Sequence, residues 1–246
     1  MISYSKLGEY GRLGNQMFQI AATIAHSRKM NEDYVIPDWK YDKYFEGQFN
    51  MGKPVNTTPF NEPRFHYSEL NHKNIDLVGY YQSDKYFNEY ESIIRELFTP
   101  KKDILEKFKK SYSFEDSVSF HIRRTDYLGK MDYHPVQSLE YYDEGLKYIR
   151  SKKNIKKIYI FSDDIDWCKE NIKYENIIFI EGQLDVEDMF LMSLCENNIT
   201  ANSSFSWWSS WLNTNEDKIV IAPEKWFGNI ANINTKDLYR NEMIRI

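Results

Sequence analysis

The sequence predicts an α/β protein built on parallel β-sheets. Short apolar stretches alternate with amphipathic helical patterns along most of the chain. Each predicted strand is separated from the next by room for one helix, which is the connection that parallel strands require. A glycine-rich segment, residues 8–14, stands between the first predicted strand and the first predicted helix. The chain has 246 residues, which is enough for one large domain or two small ones.

The first half begins with a short predicted strand at residues 2–7. A helix follows the glycines, because small and apolar side chains there recur on one helical face. These side chains are Phe18, Ala21, Ala22 and Ala25. A second strand is predicted at 33–38, ended by Pro37. Residues 39–75 are rich in Asn, Pro and aromatic residues, so we expect mostly loop there, followed by a strand at 75–83.

A helix is predicted next, with Ser83 as its N-cap and Pro100 beyond its end. The lysine-rich segment 101–110 also has helical character. We therefore expect the chain to divide into an N-terminal α/β domain, residues 1–113, and a C-terminal domain, residues 114–246.

The alternation of strand and helix is clearer in the second half. The predicted strands are "SVSFHIR", "KIYIFSDD", "IIFIEG", "NITANS" and "DKIVIAPEKWF". The predicted helices between them are "SLEYYDEGLKYIRSK", "DIDWCKENI", "DVEDMFLMSLCEN" and "SFSWWSSWLN". This rhythm predicts a parallel sheet that is covered by helices on both faces.

Composition excludes several classes of protein. A net charge of −5 argues against a protein that binds nucleic acid through a broad basic surface. Cys168 and Cys195 form no CxxC pair, so we expect buried free thiols rather than a disulfide framework or a cysteine zinc site. The N-terminus lacks a signal-peptide pattern, and no apolar stretch approaches the ~20 residues of a membrane span. We therefore expect a soluble cytoplasmic protein without a transmembrane segment.

In an open parallel sheet, ligands bind at the carboxyl ends of the strands. Four polar stretches of the second half fall at such ends: "HIRRTDY", "FSDDID", "EGQLD" and "ANSSFSWW". The glycine-rich segment is a fifth, at the end of the first strand in the other half. This distribution predicts a cleft between two sheets.

Two adjacent arginines end the strand at 117–123. Strand alternation puts His121 and Arg123 on one face and turns Arg124 to the other. We therefore expect one arginine to bind a ligand and the other to brace the loop, with Asp126 as a partner. A guanidinium matches a pyrophosphate with two-point geometry. The alternative is an internal Arg–Asp ion pair that only organises the loop.

The glycines at 8, 11 and 14 match neither the dinucleotide fingerprint nor the phosphate loop. Glycines before a helix nevertheless let backbone N–H groups approach a polar ligand closely. Gly14, Asn15 and Gln16 lie at the predicted helix start, where they could contact such a ligand. The alternative is a helix that is simply capped by a tight turn.

Two further stretches carry polar groups with more than one interpretation. Asp164 and Asp166 form a DxD that could hold a divalent metal, or residues of this stretch could cap the next helix. Ser203 and Ser204 lie at a predicted helix start, where hydroxyls can donate to phosphate oxygens. The tryptophans that follow are expected to be core, with Phe205 as the exposed exception.

Together these stretches resemble glycosyltransferase family 11, the α-1,2-fucosyltransferases. The motifs are "GRLGNQMFQIA", "HIRRTDY", "FSDDIDWCKEN" and "ANSSFSWWSSWLN", in the family's order and across nearly the whole chain. The HxRRxD string is shared with α-1,6-fucosyltransferases and in part with protein O-fucosyltransferases. Reaction type is therefore a safer expectation than linkage.

The resemblance implies a GT-B-like fold, with two Rossmann-like domains that face each other across a cleft. It implies that the N-terminal domain is the acceptor side and that the C-terminal domain binds GDP-fucose. The expected reaction transfers L-fucose with inversion to the 2-hydroxyl of a terminal β-galactoside, without an essential metal or other cofactor. The expected partners are GDP-fucose and a galactose-terminated glycan, with peripheral contact at the inner membrane face as a further possibility.

The resemblance also implies roles for individual residues. Asn15, with Gly14 and Gln16 beside it, contacts the donor, and Arg123 holds the β-phosphate while Arg124 assists. The remaining residues expected around the guanosine and phosphates are His121, Asp163, Ser203, Ser204 and Phe205.

Inversion by direct displacement requires a group that takes the acceptor proton. Asp126 is the first candidate for this base and Asp132 is the second. Two other functions stay open from the residues alone. One is a metal-dependent transferase that uses Asp164 and Asp166 with another nucleotide sugar. The other is a sugar- or nucleotide-binding protein without turnover.

Overall fold

The computed structural model describes residues 1–55 and 57–246, which form two compact units. The first unit comprises Met1–Lys101 together with Asn234–Arg240. The second comprises Lys102–Ile233 together with Asn241–Ile246. Each unit contains its own sheet, in which every described strand pair is parallel. The predicted α/β class is therefore confirmed.

The sheet of the first unit has four strands in the order β2-β1-β4-β3. The strands are β1 (Ile2–Ser3), β2 (Tyr34–Val35), β3 (Thr58–Asn61) and β4 (Ile75–Val78). The α-helices of this unit are α1 (Leu13–Met30) and α2 (Glu91–Leu97). The long helix α1 crosses from β1 to β2, as the spacing of its small and apolar residues predicts.

The first unit adds one strand to the prediction and changes one helix. The described part of 39–75 is mostly loop, as expected, but it also contains β3, which pairs along its length with β4. Strand β3 is largely exposed and contains Pro59, which an edge strand tolerates, so it lacks the usual apolar pattern. The helix expected after Ser83 consists of two 3₁₀ turns before α2, because Phe87 interrupts it with φ −140°.

The sheet of the second unit has six strands in the order β10-β9-β8-β5-β6-β7. The strands are β5 (Ser117–Ile122), β6 (Lys157–Ser162), β7 (Ile177–Phe179), β8 (Asn197–Ile199), β9 (Val220–Ala222) and β10 (Met243–Arg245). The helices are α3 (Lys102–Ser111), α4 (Thr125–Leu128), α5 (Leu139–Arg150), α6 (Ile165–Asn171), α7 (Asp185–Leu194) and α8 (Ser204–Leu212). The predicted alternation is confirmed, although the three-residue strand β10 carried no sequence signal.

This strand order is the Rossmann order, with β5 as the first strand and β8 as the fourth. Strands β5 and β8 are neighbours in the sheet, with the register Phe120↔Ile199, although helices and two other strands separate them in the chain. The connections that leave them run to opposite sides, so a crevice is expected outside their carboxyl ends. The segments after Ile122 and after Ile199 therefore lie where Rossmann-type sheets bind ligands.

The core of the second unit accounts for its unusual tryptophans and its cysteines. Trp207, Trp208 and Trp211 are fully buried on α8 and pack edge to face, as predicted. Cys168 and Cys195 are free and fully buried, also as predicted. Over residues 1–55 and 57–246, no helix is both long and apolar enough to span a membrane.

Candidate active site

His121 and Phe205 mark the switch point of the six-stranded sheet. Strand β5 is buried along its whole length, and the His121 ring lies 5.3 Å from the Phe205 ring, centroid to centroid. Burial, and secondarily the charge of Arg123, lowers the pKa of His121 to about 3. The imidazole is therefore neutral at physiological pH. His121 therefore offers an uncharged ring surface beside Phe205 and not a positive charge for a phosphate.

Arg123 is held between two carboxylates. Its Nη2 lies 2.6 Å from Asp126 Oδ1, and its Nη1 lies 3.2 Å from Asp163 Oδ2. The guanidinium also lies 5.6 Å from the centroid of the Tyr127 ring. Asp126 was expected to partner whichever arginine braces the loop, but it pairs with Arg123, while Arg124 pairs with Asp164. A guanidinium has five N–H groups, so these two contacts leave it able to make others.

Arg124 turns to a different set of partners, as strand alternation predicts. Its Nε lies 3.0 Å from Asp164 Oδ2, and its guanidinium stacks 3.5 Å above the Trp167 ring. Both partners belong to the segment after β6. Arg124 therefore braces the loop against the neighbouring strand. The sequence predicted this role for one of the two arginines without indicating which.

Asp163 organises the arginine loop, residues 123–126. Its carboxylate accepts hydrogen bonds from the backbone N–H of Arg124, at 2.8 Å, and from that of Thr125, at 3.2 Å. It also accepts from the Thr125 hydroxyl, in addition to its ion pair with Arg123. A carboxylate with four donors is a structural anchor. Its expected contact with the nucleotide base stays a prediction.

The segment after β8 places polar groups on the other side of the switch point. Ser203 is the N-cap of α8, and its hydroxyl accepts from the Phe205 backbone N–H. Ser204 opens the helix and, like Ser203 and Phe205, is partly exposed. The buried Asn202 carbonyl accepts from the Tyr127 hydroxyl at 3.0 Å, which ties this segment to the arginine loop.

Asp188, which lies in the first turn of α7, was not predicted as a site residue. Helices α7 and α8 both start at the carboxyl edge and pack side by side, with Ser209 Oγ 3.7 Å from Met192 Sδ. Asp188 and Phe205 each lie about one turn nearer the start of their own helix than Met192 and Ser209 do. Asp188 Oδ1 is buried and has no hydrogen-bond partner within the described ranges. Burial raises the pKa of this carboxyl to about 7, with smaller contributions from Asp185 and Glu187.

The two candidate bases differ in their surroundings. Asp126 is paired with Arg123 on the short helix α4, and about half of its side chain is exposed. Asp132 is an exposed residue in the turn that follows. Its backbone carbonyl would lie 1.9 Å from a Cβ on Gly228, so only glycine fits there. The backbone N–H of Gly228 also donates to Tyr133, which fixes this turn.

The glycine loop, residues 8–14, belongs to the first unit and is held by uncharged groups. Asn15 donates to the Tyr10 carbonyl at 3.3 Å and accepts from the Gln82 amide at 2.7 Å. Gln16 donates to the Gly11 carbonyl at 3.1 Å and accepts from the indole of Trp39 at 2.9 Å. Gly14 is buried in the first turn of α1. These contacts fit the capped-turn interpretation, and donor contact by Asn15 stays a prediction.

The DxD residues have ordinary partners in this structure. Asp164 pairs with Arg124, and Asp166 lies 3.7 Å from Lys169 on the exposed face of α6. In the described part of the chain, no group of three or more His, Cys, Asp or Glu side chains could hold a metal ion.

The fold is the GT-B-like α/β fold expected from the sequence, and solved fucosyltransferases share it. A crystal structure of the fucosyltransferase NodZ from Bradyrhizobium matches with a TM-score of 0.57 and 13% identity, covering 86% of this chain and 93% of that one. A crystal structure of POFUT1 in complex with GDP-fucose matches with a TM-score of 0.54 and 13% identity, covering 85% of this chain and 92% of the other.

Sequence comparison identifies the family. The model of Glycosyl transferase family 11 matches residues 6–246, and the chain therefore belongs to that family of glycosyltransferases. It is 32% identical to an alpha-1,2-colitosyltransferase of Escherichia coli, over 96% of each chain. It is 30% identical to the O-antigen biosynthesis glycosyltransferase WbnK of Escherichia coli, over 94% of this chain and 98% of that protein. The galactoside alpha-(1,2)-fucosyltransferase 1 of Aotus azarae is 25% identical, over 86% of this chain and 66% of that protein.

Proposed function

We propose that the protein transfers L-fucose from GDP-fucose to the 2-hydroxyl of a terminal β-galactoside, in the synthesis of a glycan or surface polysaccharide. The observation that carries the proposal is the Arg123–Asp126 pair beside the switch point, in a chain of glycosyltransferase family 11. This pair places a fixed positive charge and a carboxylate together where a leaving diphosphate and an attacking hydroxyl both need partners. In this proposal the second unit binds the donor and the first unit binds the acceptor.

The donor phosphates are assigned to Arg123 and the start of α8. Arg123 offers a fork that matches phosphate oxygens, and the N-terminus of the nine-residue α8 offers backbone N–H groups with the hydroxyls of Ser203 and Ser204. Asn15 is assigned to the donor through the family resemblance. No essential metal takes part in this scheme, because Arg123 supplies the charge that stabilises the departing GDP.

The guanine base is assigned to the wall formed by His121 and Phe205, with Asp188 at its edge. Guanine presents two adjacent donors, N1–H and N2–H₂, and a carboxylate accepts both at once. Asp188 Oδ1 in the first turn of α7 is buried and lacks a hydrogen-bond partner among the described residues, which supports this assignment. Adenine and uracil lack that donor pair, so the arrangement favours GDP over ADP and UDP.

The proposed reaction step follows from the Arg123–Asp126 pair. The acceptor 2-hydroxyl oxygen attacks C1 of fucose, the bond from C1 to the β-phosphate oxygen breaks, and Asp126 takes the hydroxyl proton. Donor binding would draw Arg123 toward the diphosphate and leave the Asp126 carboxylate available as the base. The configuration at C1 inverts because the nucleophile enters opposite the leaving GDP.

A second candidate is transfer of colitose, which is fucose without its 3-hydroxyl. The E. coli alpha-1,2-colitosyltransferase, 32% identical over 96% of the chain, favours it. Both candidates share the nucleotide, the leaving group and the linkage, so the residues above serve either. They differ in what contacts the 3-hydroxyl.

The test combines binding and turnover. A thermal-shift panel of GDP, UDP, ADP and GDP-fucose should show stabilisation by the guanosine compounds alone, since a ligand stabilises only by binding the folded state. Turnover with a β-galactoside, assayed with GDP-fucose and GDP-colitose in EDTA, should release GDP. Loss of activity in EDTA would favour a metal-dependent transferase, and binding without GDP release would favour a binding protein.

We also propose a cytoplasmic location, with contact at the inner membrane face when the acceptor is lipid-linked. The similarity to a glycosyltransferase of O-antigen biosynthesis supports this placement. Cell fractionation tests it, because the protein should be recovered in the soluble and peripheral fractions that high salt releases.

A further inference from the structure

Two tyrosine rings meet at the carboxyl edge of the first unit's sheet. Tyr10 lies in the glycine loop after β1, and Tyr80 lies in the loop after β4. These two strands are neighbours, with Ser3 opposite Asp76. The ring centroids are 6.0 Å apart, and the planes are nearly perpendicular at 87°. The Tyr80 side of this pair is open to solvent, because Tyr80 is 41% exposed.

Glu62, at the end of β3, holds the backbone that carries Tyr80. Its Oε2 accepts from the Tyr80 N–H at 2.7 Å, and its Oε1 accepts from the Tyr81 N–H at 3.0 Å. The loop adopts costly conformations to make this possible. Tyr81 has φ 52°, and Gly79 has φ 153°, where a Cβ would lie 2.4 Å from Glu62 Cβ. Burial also raises the pKa of Glu62 to about 7, although both backbone N–H groups favour its charged form.

A buried amide fixes the two loops to each other. Gln19 Nε2 donates to the Tyr10 carbonyl at 3.0 Å and to the Gly79 carbonyl at 3.3 Å. The Tyr4 hydroxyl also donates to the Gly79 carbonyl. Both loops are thus fixed from beneath, and the relative position of the two rings is preset. Strained backbone and buried polar groups hold the exposed ring of Tyr80 in place. This arrangement favours a binding role for Tyr80 over a packing role.

We propose that Tyr80, backed by the edge of Tyr10, is a stacking platform for a sugar ring of the acceptor. This inference rests on the proposed function, which makes the acceptor a galactoside. The face of a β-galactoside that carries the C3–H, C4–H and C5–H bonds is apolar, while its hydroxyls lie at the rim. A rigid tyrosine offers a flat apolar surface at little conformational cost.

The neighbouring residue shows what a structural tyrosine looks like in the same loop. Tyr81 is fully buried, and its hydroxyl donates to the Phe60 carbonyl at 3.1 Å. Its ring packs edge to face with Tyr86, at 5.2 Å between centroids. Tyr81 therefore supports the fold, whereas Tyr80, held by the same glutamate, remains 41% exposed.

The first experiment compares Tyr80→Ala, Tyr80→Phe and Tyr148→Ala in steady-state kinetics with a β-galactoside acceptor. Tyr148 is the matched control because it is 37% exposed on α5 of the other unit. Tyr80→Ala should raise the acceptor KM by roughly tenfold, with kcat within about threefold and the thermal shift by GDP unchanged. Tyr80→Phe should keep the acceptor KM within about twofold, since stacking needs only the ring. An unchanged KM in Tyr80→Ala, or an equal loss of GDP binding, would overturn the proposal.

A binding measurement separates this inference from the function on which it rests. Saturation-transfer NMR with methyl β-galactoside reports contact without turnover. Signals present with wild type and lost with Tyr80→Ala would support the platform even where GDP-fucose gives no product, and only the proposed reaction would then fail. Normal fucosyl transfer together with undiminished signals in Tyr80→Ala would refute the platform and leave the proposed function intact.

Discussion

The arginine loop and the glycine loop both leave the carboxyl edge of a parallel sheet, but they are held by opposite chemistry. Around the arginine loop, opposite charges make the contacts: Arg123 with Asp126 and Asp163, and Arg124 with Asp164. Around the glycine loop, neutral amides and backbone carbonyls make them, through Asn15 and its neighbours.

This difference matches what each edge is proposed to bind. A diphosphate needs concentrated positive charge, and a guanidinium held by carboxylates stays in place until a stronger anion competes for it. The other edge is proposed to contact the acceptor sugar through Tyr80 and the donor through Asn15. Uncharged sugar groups need shape and hydrogen bonds, which tyrosines and amides supply without the desolvation cost of charge. Substitutions at the two loops should therefore fail in different ways.

The largest effect is expected for Arg123→Lys. Lysine keeps the charge but loses the fork that contacts two carboxylates, so kcat should fall roughly a thousandfold in a GDP-release assay. Arg95→Lys is the control, because Arg95 pairs with Glu91 on α2. It should stay within about twofold of wild type. An Arg123→Lys enzyme that keeps most of its activity would show that the charged loop is only a scaffold.

The next effect distinguishes the two carboxylates near that loop. Asp126→Asn should lower kcat by roughly a hundredfold, because the amide cannot take a proton. Asp132→Asn should change kcat by no more than about threefold, since Asp132 is exposed and lies several residues farther along the chain. The opposite ranking, with the larger loss of kcat in Asp132→Asn, would move the base to Asp132.

Much of the fold could be predicted because the apolar pattern is local. Strand β5 and helix α8 follow from runs of apolar residues that also turned out to be buried. Strand β3 could not be predicted, since it is exposed and includes Pro59. Strand β10 is defined by its pairing with β9. Its three residues are too few to form a pattern that predicts a strand.

The candidate site was predictable in its residues but not in their partners. The motifs indicated Arg124 and Asp163, yet their contacts join segments about forty residues apart. Stacking of Arg124 on Trp167 is likewise set by the neighbouring strand. Asp188 could not be predicted, because an acid in the first turn of a helix is usually a solvated, favourable residue. Its buried Oδ1, which lacks a hydrogen-bond partner among the described residues, is what makes it unusual.

Gly11→Ala tests the uncharged loop. Gly11 has φ 102°, and a Cβ there would lie 2.0 Å from the Asn15 side-chain nitrogen. The substitution should therefore cost about 2–3 kcal/mol and displace Asn15 from its bonds to Tyr10 and Gln82. Gly52→Ala is the matched control in the same unit, since its nearest neighbour would be 3.5 Å away. Thermal unfolding of both variants should separate them, and equal melting temperatures would contradict the described loop.

The smallest effect on stability is expected for Asp188→Asn, and its size depends on pH. The pKa of Asp188 is raised to about 7 by burial, so between about pH 4 and pH 7 the folded chain keeps a proton that the unfolded chain releases. Wild-type stability therefore declines across this window, and an asparagine removes that decline.

Urea unfolding at pH 4.5 and pH 8 should show Asp188→Asn gaining on wild type by on the order of 1–2 kcal/mol at the higher pH. Asp166→Asn, a substitution of an exposed acid in the first turn of α6, should show no such gain. Asp188→Asn should also lose thermal stabilisation by GDP, because the amide cannot accept both guanine donors. A variant that is more stable but no longer binds GDP would show that Asp188 serves nucleotide binding at the expense of stability. Burial of an unpaired carboxylate otherwise only weakens the fold.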